Sequence, residues 1–296
     1  MQRPGRPSVQ EFPVADGGAG PYGITAGADG ALWITLVHSG EIARLTPGGE
    51  LTTYPLGSPA GGPMVITAGP DGALWFTLNR ADAIGRITVH GEVGTFHLAS
   101  GCGPYGIAAG PDGALWFTEM HTDRIGRITV DGEVTRFPLP VEKAFPSAIT
   151  AGPDGALWFT LNQADAIGRI GLDGEVVLHG LPTAGAAPVG IAAGADALWF
   201  TEIGAGRIGR ISTDGEVREF PLPDPAARPH AVAVTPAGDC WFTAWGTGRV
   251  GRVTAAGETV EYDLPTPSSE PHGIAVGPDG ALWTALETGG VARVAP

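Results

Sequence analysis

The sequence predicts an all-β fold: a seven-bladed β-propeller built from four-stranded antiparallel blades. Three observations support this prediction. A pattern of about 40 residues recurs seven times, each repeat contains four short β-type runs, and helical hydrophobic periodicity is absent. Four antiparallel strands in a repeat of this length are typical of a propeller blade.

Each repeat opens at a proline, and successive opening prolines lie 41 or 42 residues apart. These prolines are Pro21, Pro63, Pro104, Pro146, Pro188, Pro229 and Pro271. We expect one domain over residues 1–296, because a closed ring requires every blade. A linear solenoid is the competing topology, but it gives residues 8–14 no role.

The third repeat shows why each strand forms. Its first strand is the small-residue run Gly-Ile-Ala-Ala at 106–109, which suits the crowded axis of a ring. Gly-Pro-Asp-Gly then makes a tight turn into Ala-Leu-Trp-Phe-Thr at 114–118, because proline fixes φ and glycine accepts positive φ. The third strand, 124–128, is joined to the fourth, 133–137, by an Asp-Gly hairpin signal.

The last repeat lacks a fourth strand, since the chain reaches only its third strand at 291–294. The N-terminal segment 8–14 matches the fourth strand of the fifth repeat at 216–222. We therefore predict that residues 8–14 complete the last blade. Closing the ring removes the strand edges that an open array would expose.

Two repeated side chains are interpreted as structural. Seven of the eight tryptophans hold one repeat position and are predicted to pack between neighbouring blades. The repeated arginines of the third strand, such as Arg127, Arg169 and Arg210, are expected to pair with carboxylates or backbone carbonyls between blades. The packing tryptophans are Trp33, Trp75, Trp116, Trp158, Trp199, Trp241 and Trp283.

Composition narrows the function classes. The net charge of −14 argues against nucleic acid or an anionic membrane as partner, since both require a basic surface. Cys102 and Cys240 do not make a disulfide framework and suggest a reducing compartment. The first seven residues carry no apolar run of a secretion signal, and no apolar run of membrane-spanning length occurs. We expect a soluble, cytoplasmic protein that acts as a monomer.

Strand direction decides which variable positions meet. The loops entering the first strand share one face with the loops between the second and third strands, here called the upper face. These loops differ in every repeat, whereas the turns of the lower face are nearly invariant. Loops on a rigid frame are the usual place for function.

Unusual side chains on the upper face concentrate in the last two repeats and the first. Carboxylates and histidines replace the common residues beside the opening prolines, and one tryptophan lies outside the packing position. We predict that these residues surround one patch of the central funnel: Tyr22, His230, Trp245, Glu270, His272 and Glu287. Two carboxylates with a histidine can hold a hard cation such as Mg²⁺, and an indole beside them suits a bulky organic ligand.

Other candidates on this face are weaker. Glu119 and Glu202 follow Trp-Phe-Thr directly and are expected to line the funnel, to be solvated or to pair with arginine. Tyr105 holds the position of Tyr22 two blades away, and its role is left open. The remaining histidines, His38 among them, are interpreted as surface or loop residues. No HExxH, P-loop, GxSxG or CxxC motif is present.

Seven repeats of Pro-x-Gly-Ile-x-x-Gly-Pro-Asp-Gly-x-Leu-Trp-Phe-Thr, with Glu-Pro-His-Gly-Ile opening the last, resemble the virginiamycin B (streptogramin B) lyases over essentially the whole chain. The resemblance implies resistance to type B streptogramins, cyclic depsipeptide antibiotics whose threonine ester is opened by elimination. It implies that His272 is catalytic, that Glu270 and Glu287 bind Mg²⁺, and that the substrate contacts His230, Trp245 and Tyr22.

Two other functions compete with this one. The ring could be a non-catalytic binding platform, as many seven-bladed propellers are. It could also be a metal-dependent lactonase or esterase, although such propellers usually have six blades and draw metal ligands from several of them. Here the acids cluster in one blade, which disfavours the lactonase. Fold alone does not decide among these functions.

Overall fold

A computed structural model describes residues 7–57 and 61–295. These residues form 28 strands in seven four-stranded antiparallel sheets, and they contain no α-helix. Two short 3₁₀ turns, Asn79–Ala81 and Trp245–Thr247, follow strands on the upper face. The predicted all-β class is therefore confirmed. The expectation that the chain carries no secretion signal rests on its first seven residues. Residues 1–6 lie outside the described range.

Each sheet is one blade and begins with the strand that opens at a repeat proline. Blade 1 consists of β2 (Pro21–Ala26), β3 (Leu32–Leu36), β4 (Glu41–Leu45) and β5 (Leu51–Pro55). Blade 2 consists of β6 (Pro63–Ala68), β7 (Leu74–Leu78), β8 (Ala83–Ile87) and β9 (Val93–His97). Blade 3 consists of β10 (Pro104–Ala109), β11 (Leu115–Glu119), β12 (Arg124–Ile128) and β13 (Val134–Pro138). Blade 4 consists of β14 (Pro146–Ala151), β15 (Leu157–Leu161), β16 (Ala166–Ile170) and β17 (Val176–Gly180). Blade 5 consists of β18 (Pro188–Ala193), β19 (Ala197–Glu202), β20 (Arg207–Ser212) and β21 (Val217–Pro221). Blade 6 consists of β22 (Pro229–Val234), β23 (Cys240–Ala244), β24 (Arg249–Val253) and β25 (Thr259–Asp263). Blade 7 consists of β26 (Pro271–Val276), β27 (Leu282–Leu286), β28 (Gly290–Ala295) and β1 (Ser8–Pro13).

The N-terminal strand closes the ring, as the sequence predicts. Strand β1 pairs antiparallel with β28 in a register that runs from Ser8 opposite Ala295 to Pro13 opposite Gly290. Phe12 then packs on Trp283 with the ring centroids 5.3 Å apart. The last blade is thus assembled from both ends of the chain.

The innermost strands contact one another around the axis, and a threonine links each of blades 1 to 6 to the next. In blade 3, Thr118 Oγ1 accepts a hydrogen bond from the amide of Gly106 and donates one to the carbonyl of Ser147 in blade 4. A Cβ on Gly106 would lie 2.4 Å from that carbonyl oxygen, so only glycine allows the strands to approach this closely. Blade 7 carries Ala285 at the equivalent position and lacks this link.

The tryptophans lie between blades, as predicted. Trp33 is fully buried against Ile66, Leu74 and Phe76 of blade 2. It also stacks at 5.6 Å on Tyr54, the aromatic residue of the fourth strand of its own blade. Burial of this kind supplies the main stabilisation of the ring.

The expectation that the repeated arginines pair between blades is wrong. Each arginine pairs with the aspartate of the turn between the first two strands of its own blade. In blade 3, Arg127 Nε donates to Asp112 Oδ2 at 2.6 Å, and Trp116 Nε1 donates to Asp112 Oδ1 at 3.1 Å. The arginine and the turn aspartate share one edge of the blade, so the aspartate is within reach and holds both the third strand and the tryptophan. Arg169 pairs with Asp154 in the same way. Arg210 pairs with Asp196 of its own blade through Nη2, without the hydrogen bond from the tryptophan.

Candidate functional site

The two upper loops of each blade are tied together by the backbone. In blade 7 the amide of Glu287 donates to the carbonyl of Glu270 at 3.2 Å, and equivalent bonds occur in blades 1 to 4 and 6, for example from Met120 to Gly103. The loops therefore share one face, as strand direction predicts. The structure places all six predicted site residues at the inner end of this face, in blades 1, 6 and 7.

Glu270 occupies a backbone conformation that favours glycine. Its φ is +50°, and the equivalent residues of blades 1 to 3 are Gly20, Gly62 and Gly103, all with positive φ. A side chain in this left-handed region costs about 1–2 kcal/mol. The carboxylate is exposed at the rim of the funnel. Phe145, Ala187 and Arg228 hold the same position in blades 4 to 6 and also have positive φ, so the conformation belongs to this loop in every blade.

His272 is the buried centre of the site. Only 7% of the residue is exposed, and its Nε2 lies 2.5 Å from Glu287 Oε2. Burial lowers the pKa of His272 despite the nearby carboxylates. For Glu287 burial acts the other way, but its hydrogen bonds with His272 and His38 outweigh it and lower the pKa of Glu287. The pair is therefore a neutral imidazole that donates its Nε2 proton to an ionised carboxylate. The nitrogen left to accept a proton is Nδ1, which is buried and has no hydrogen-bond partner among the described residues.

Two aromatic rings pack against His272. The Tyr22 ring lies 4.5 Å from the imidazole, and the His230 ring lies 4.8 Å away nearly perpendicular to it. Tyr22 and His230 share a hydrogen bond of 3.2 Å between Oη and Nε2. Burial, followed by the repulsion that two protonated rings would exert on each other at His272 and His230, lowers the pKa of His230 to about 3, so His230 is neutral at physiological pH.

Trp245 forms the outer wall of the site. Its ring centroid lies 6.3 Å from that of His272, and its Nε1 is buried without a hydrogen-bond partner among the described residues. The guanidinium of Arg228 lies 5.4 Å over the indole. Trp245, Arg228 and Glu270 line a groove between blades 6 and 7. This groove offers an aromatic face and charges of both signs to a ligand.

The site offers few ligands for a magnesium ion. Among the described residues, no three His, Cys, Asp or Glu side chains form a group that could hold a metal ion. Glu270 and Glu287 nevertheless come from loops joined by a backbone hydrogen bond, and both carboxylates act electrostatically on His272. Mg²⁺ is commonly held by one or two carboxylates, with water or substrate completing its coordination. The site thus offers two carboxylates, a number with which Mg²⁺ is commonly held.

Two residues near the site were missed by sequence reasoning. His38, interpreted as a loop residue, is exposed and brings Nε2 within 3.0 Å of Glu287 Oε1 from blade 1. Tyr105, whose role was left open, shares a hydrogen bond of 2.6 Å with the hydroxyl of Tyr22. The signal for His38 was its place one residue beyond Val37, which holds the repeat position of Glu287.

The two secondary carboxylates lie away from the funnel. Glu119 is fully buried and accepts a hydrogen bond from Arg136 Nε at 2.7 Å, so it is paired with arginine. Glu202 is also fully buried, but neither of its carboxyl oxygens has a partner among the described residues. Lining the funnel and solvation are therefore wrong for both residues, because the third and fourth strands cover them.

The fold and the site together define a propeller with a neutral histidine, an ionised carboxylate and aromatic walls where the ring closes. Residues 7–294 match the virginiamycin B lyase family, and the chain belongs to that family.

Relatives of known structure are similar over nearly the whole chain. The virginiamycin B lyase of Staphylococcus aureus is 43% identical, with 98% of this chain and 100% of that chain covered and a TM-score of 0.94. A catalytically inactive histidine-to-alanine variant of that enzyme, solved with quinupristin, is 42% identical at the same coverage and TM-score. The virginiamycin B lyase of Saccharopolyspora erythraea is 63% identical over 54 residues, and this match spans 18% of each chain.

No helix among the described residues is long and apolar enough to cross a membrane.

Proposed function

We propose that this protein linearises type B streptogramin antibiotics by elimination at their threonine ester and so confers resistance. The observation that carries the proposal is the pairing of the neutral, buried His272 with the ionised Glu287. Family membership and the quinupristin complex of the S. aureus variant support the choice of substrate. The loss of activity on removal of one histidine from that enzyme agrees with an essential imidazole.

In the proposed reaction the imidazole of His272 accepts the proton from the threonine Cα. The electron pair left on Cα forms a double bond to Cβ, and the bond from Cβ to the ester oxygen breaks. The oxygen leaves as part of a carboxylate, so the ring opens without the addition of water. A base with a pKa near or below neutrality is ready to act at physiological pH, which suits an imidazole kept neutral by burial.

The Cα proton is weakly acidic, so negative charge on the neighbouring carbonyl oxygen must be stabilised. We propose that Glu270 and Glu287 hold Mg²⁺, which when bound would supply this stabilisation as a Lewis acid. Tyr22 and His230 are proposed to contact the substrate at the floor of the funnel. Trp245 is proposed to pack against the antibiotic ring from the groove side.

The product mass separates this function from its alternatives. The protein is incubated with a type B streptogramin, with and without EDTA, and the product is analysed by chromatography and mass spectrometry. A linear product of unchanged mass that requires Mg²⁺ supports the lyase. A product heavier by one water would indicate hydrolysis and overturn the proposed elimination, and an unchanged antibiotic in the presence of folded protein would favour the binding platform.

We propose a cytoplasmic location, and the two thiols support it. Cys102 and Cys240 are both buried and unpaired. Unpaired thiols are usual where the compartment is reducing, and this supports the proposal of a cytoplasmic enzyme. The proposed monomer stays a prediction, which light scattering of the purified protein would test.

A further inference from the structure

Tyr105 reaches the site from the far side of the funnel. It lies on the innermost strand of blade 3, and only 7% of it is exposed. Its backbone is held by Thr77, whose Oγ1 donates to the Tyr105 carbonyl at 2.8 Å. The phenol therefore projects from a fixed point, and its hydroxyl meets that of Tyr22 at 2.6 Å.

Tyr22 connects this contact to the reacting residues. Its hydroxyl is shared between Tyr105 Oη and His230 Nε2, while its ring packs on His272 at 4.5 Å. Burial raises the pKa of both tyrosines above the ordinary value, so both hydroxyls stay protonated. A neutral hydroxyl donates one proton and can also accept hydrogen bonds. The direction of the hydrogen bond between Tyr22 and Tyr105 therefore decides whether the Tyr22 hydroxyl donates to His230 or accepts from it.

The channel beneath the two tyrosines offers no substitute side chain. It is lined by the aliphatic residues of the innermost strands, such as Ile24, Ile107 and Ile191. If the Tyr105 hydroxyl is removed, Tyr22 has only His230 as a side-chain partner among the described residues. The Tyr22 hydroxyl then loses its hydrogen bond from blade 3, while the edge contact between the two rings at 6.5 Å remains.

We infer that Tyr105 is a positioning residue for the elimination: through the hydroxyl of Tyr22 it fixes the Tyr22 ring against His272 and orients the imidazole of His230. This inference rests on the proposed function. It predicts that Tyr105 affects the reaction only while Tyr22 retains its hydroxyl. Orientation of reacting groups is expressed mainly in kcat, because near-attack geometry lowers the barrier without tightening ground-state binding.

The kinetic test is a double-mutant cycle of Tyr105→Phe and Tyr22→Phe. Loss of one hydrogen bond predicts a fall in kcat of about 2–10-fold for Tyr105→Phe, with KM within about twofold. In the Tyr22→Phe background the same change is expected to have no effect. Tyr54→Phe is the matched control, because Tyr54 stacks on Trp33 and its hydroxyl has no hydrogen-bond partner in the described part of the chain.

A second measurement does not depend on turnover. Long-range ¹H–¹⁵N correlation spectra report the ring nitrogens of His230, assigned by comparison with His230→Asn. Tyr105→Phe is expected to shift these resonances, and Tyr54→Phe is expected to leave them unchanged. Unshifted His230 resonances, or an equal loss of kcat with and without the Tyr22 hydroxyl, would overturn the inference. If the wild-type protein opens no ring while the resonances shift, the proposed function fails and the coupling between Tyr105 and His230 stands.

Discussion

Glu202 makes the stability of this protein depend on pH in a direction opposite to that of most carboxylates. The residue is fully buried, and neither of its oxygens is hydrogen-bonded within the described chain. Burial and the charge of Glu219 raise the pKa of Glu202 from 4.5 to about 8. Glu219 also accepts hydrogen bonds from the amide and hydroxyl of Thr183, and it acts on Glu202 from close range.

The direction of this pH dependence follows from the linkage between proton binding and folding. The unfolded chain ionises Glu202 near pH 4.5 and the folded protein near pH 8, so folding is disfavoured progressively across this window. Each pH unit costs about 1.4 kcal/mol, which gives a total on the order of 5 kcal/mol above pH 8. Glu202→Gln removes this cost, because a neutral amide has nearly the shape of the protonated acid. The variant should match the wild type near pH 4.5 and exceed it in stability by several kcal/mol at pH 8.

Urea unfolding at pH 5, 6, 7, 8 and 9 measures the free energy of unfolding of wild type and variant. The contributions of the other titrating groups largely cancel in the difference between the two proteins. Glu119→Gln is the matched control, since Glu119 holds the same repeat position but accepts a hydrogen bond from Arg136. That change should destabilise the protein by about 1–3 kcal/mol, because it breaks a hydrogen bond between charged groups. A difference between Glu202→Gln and wild type that does not change with pH would refute the reasoning.

Three further predictions concern the site and the ring. Changing His272 to alanine should lower kcat by at least about 10²–10⁴-fold in steady-state assays, and near-native turnover would remove it from the mechanism. Glu270→Gly should raise the unfolding free energy by up to about 1 kcal/mol, since glycine tolerates the positive φ, while abolishing Mg²⁺-dependent turnover; unchanged activity would exclude Glu270 as a ligand. Deleting residues 8–14 should lower the melting temperature and abolish both Mg²⁺ binding by calorimetry and activity, and intact activity would contradict the role of β1 in supporting the site.

The fold was predictable because it repeats. A side chain that recurs every 41 or 42 residues reveals its structural role through the repetition, and the spare N-terminal segment matched the one strand that was missing. Contacts between individual side chains were harder to predict from the sequence. Glu119 and Glu202 follow the same Trp-Phe-Thr sequence, yet one is paired and the other is not. The difference arises in the fourth strand, where the same position holds Arg136 in one blade and Glu219 in the other.

The candidate site was predictable only in part for a related reason. Position within the repeat indicates which residues face the funnel, and it brought Tyr22, His230 and His272 together. It does not indicate how far a side chain reaches across the axis. The bond from Tyr105 to Tyr22 joins blades 1 and 3, and such a distance follows from the ring diameter and rotamers, which the repeat pattern does not contain.

The pairing of β1 with β28 has a consequence for biosynthesis. Strand β1 can pair with β28 only after residues 290–295 have been added, so this pairing joins segments that are far apart in sequence. Contacts of such long sequence separation form late, because the loop entropy must be overcome before they stabilise anything. Glu270, His272 and Glu287 belong to the blade that this pairing completes. A chain that stops before β28 therefore cannot display the finished site, and activity reports that β28 has been synthesised.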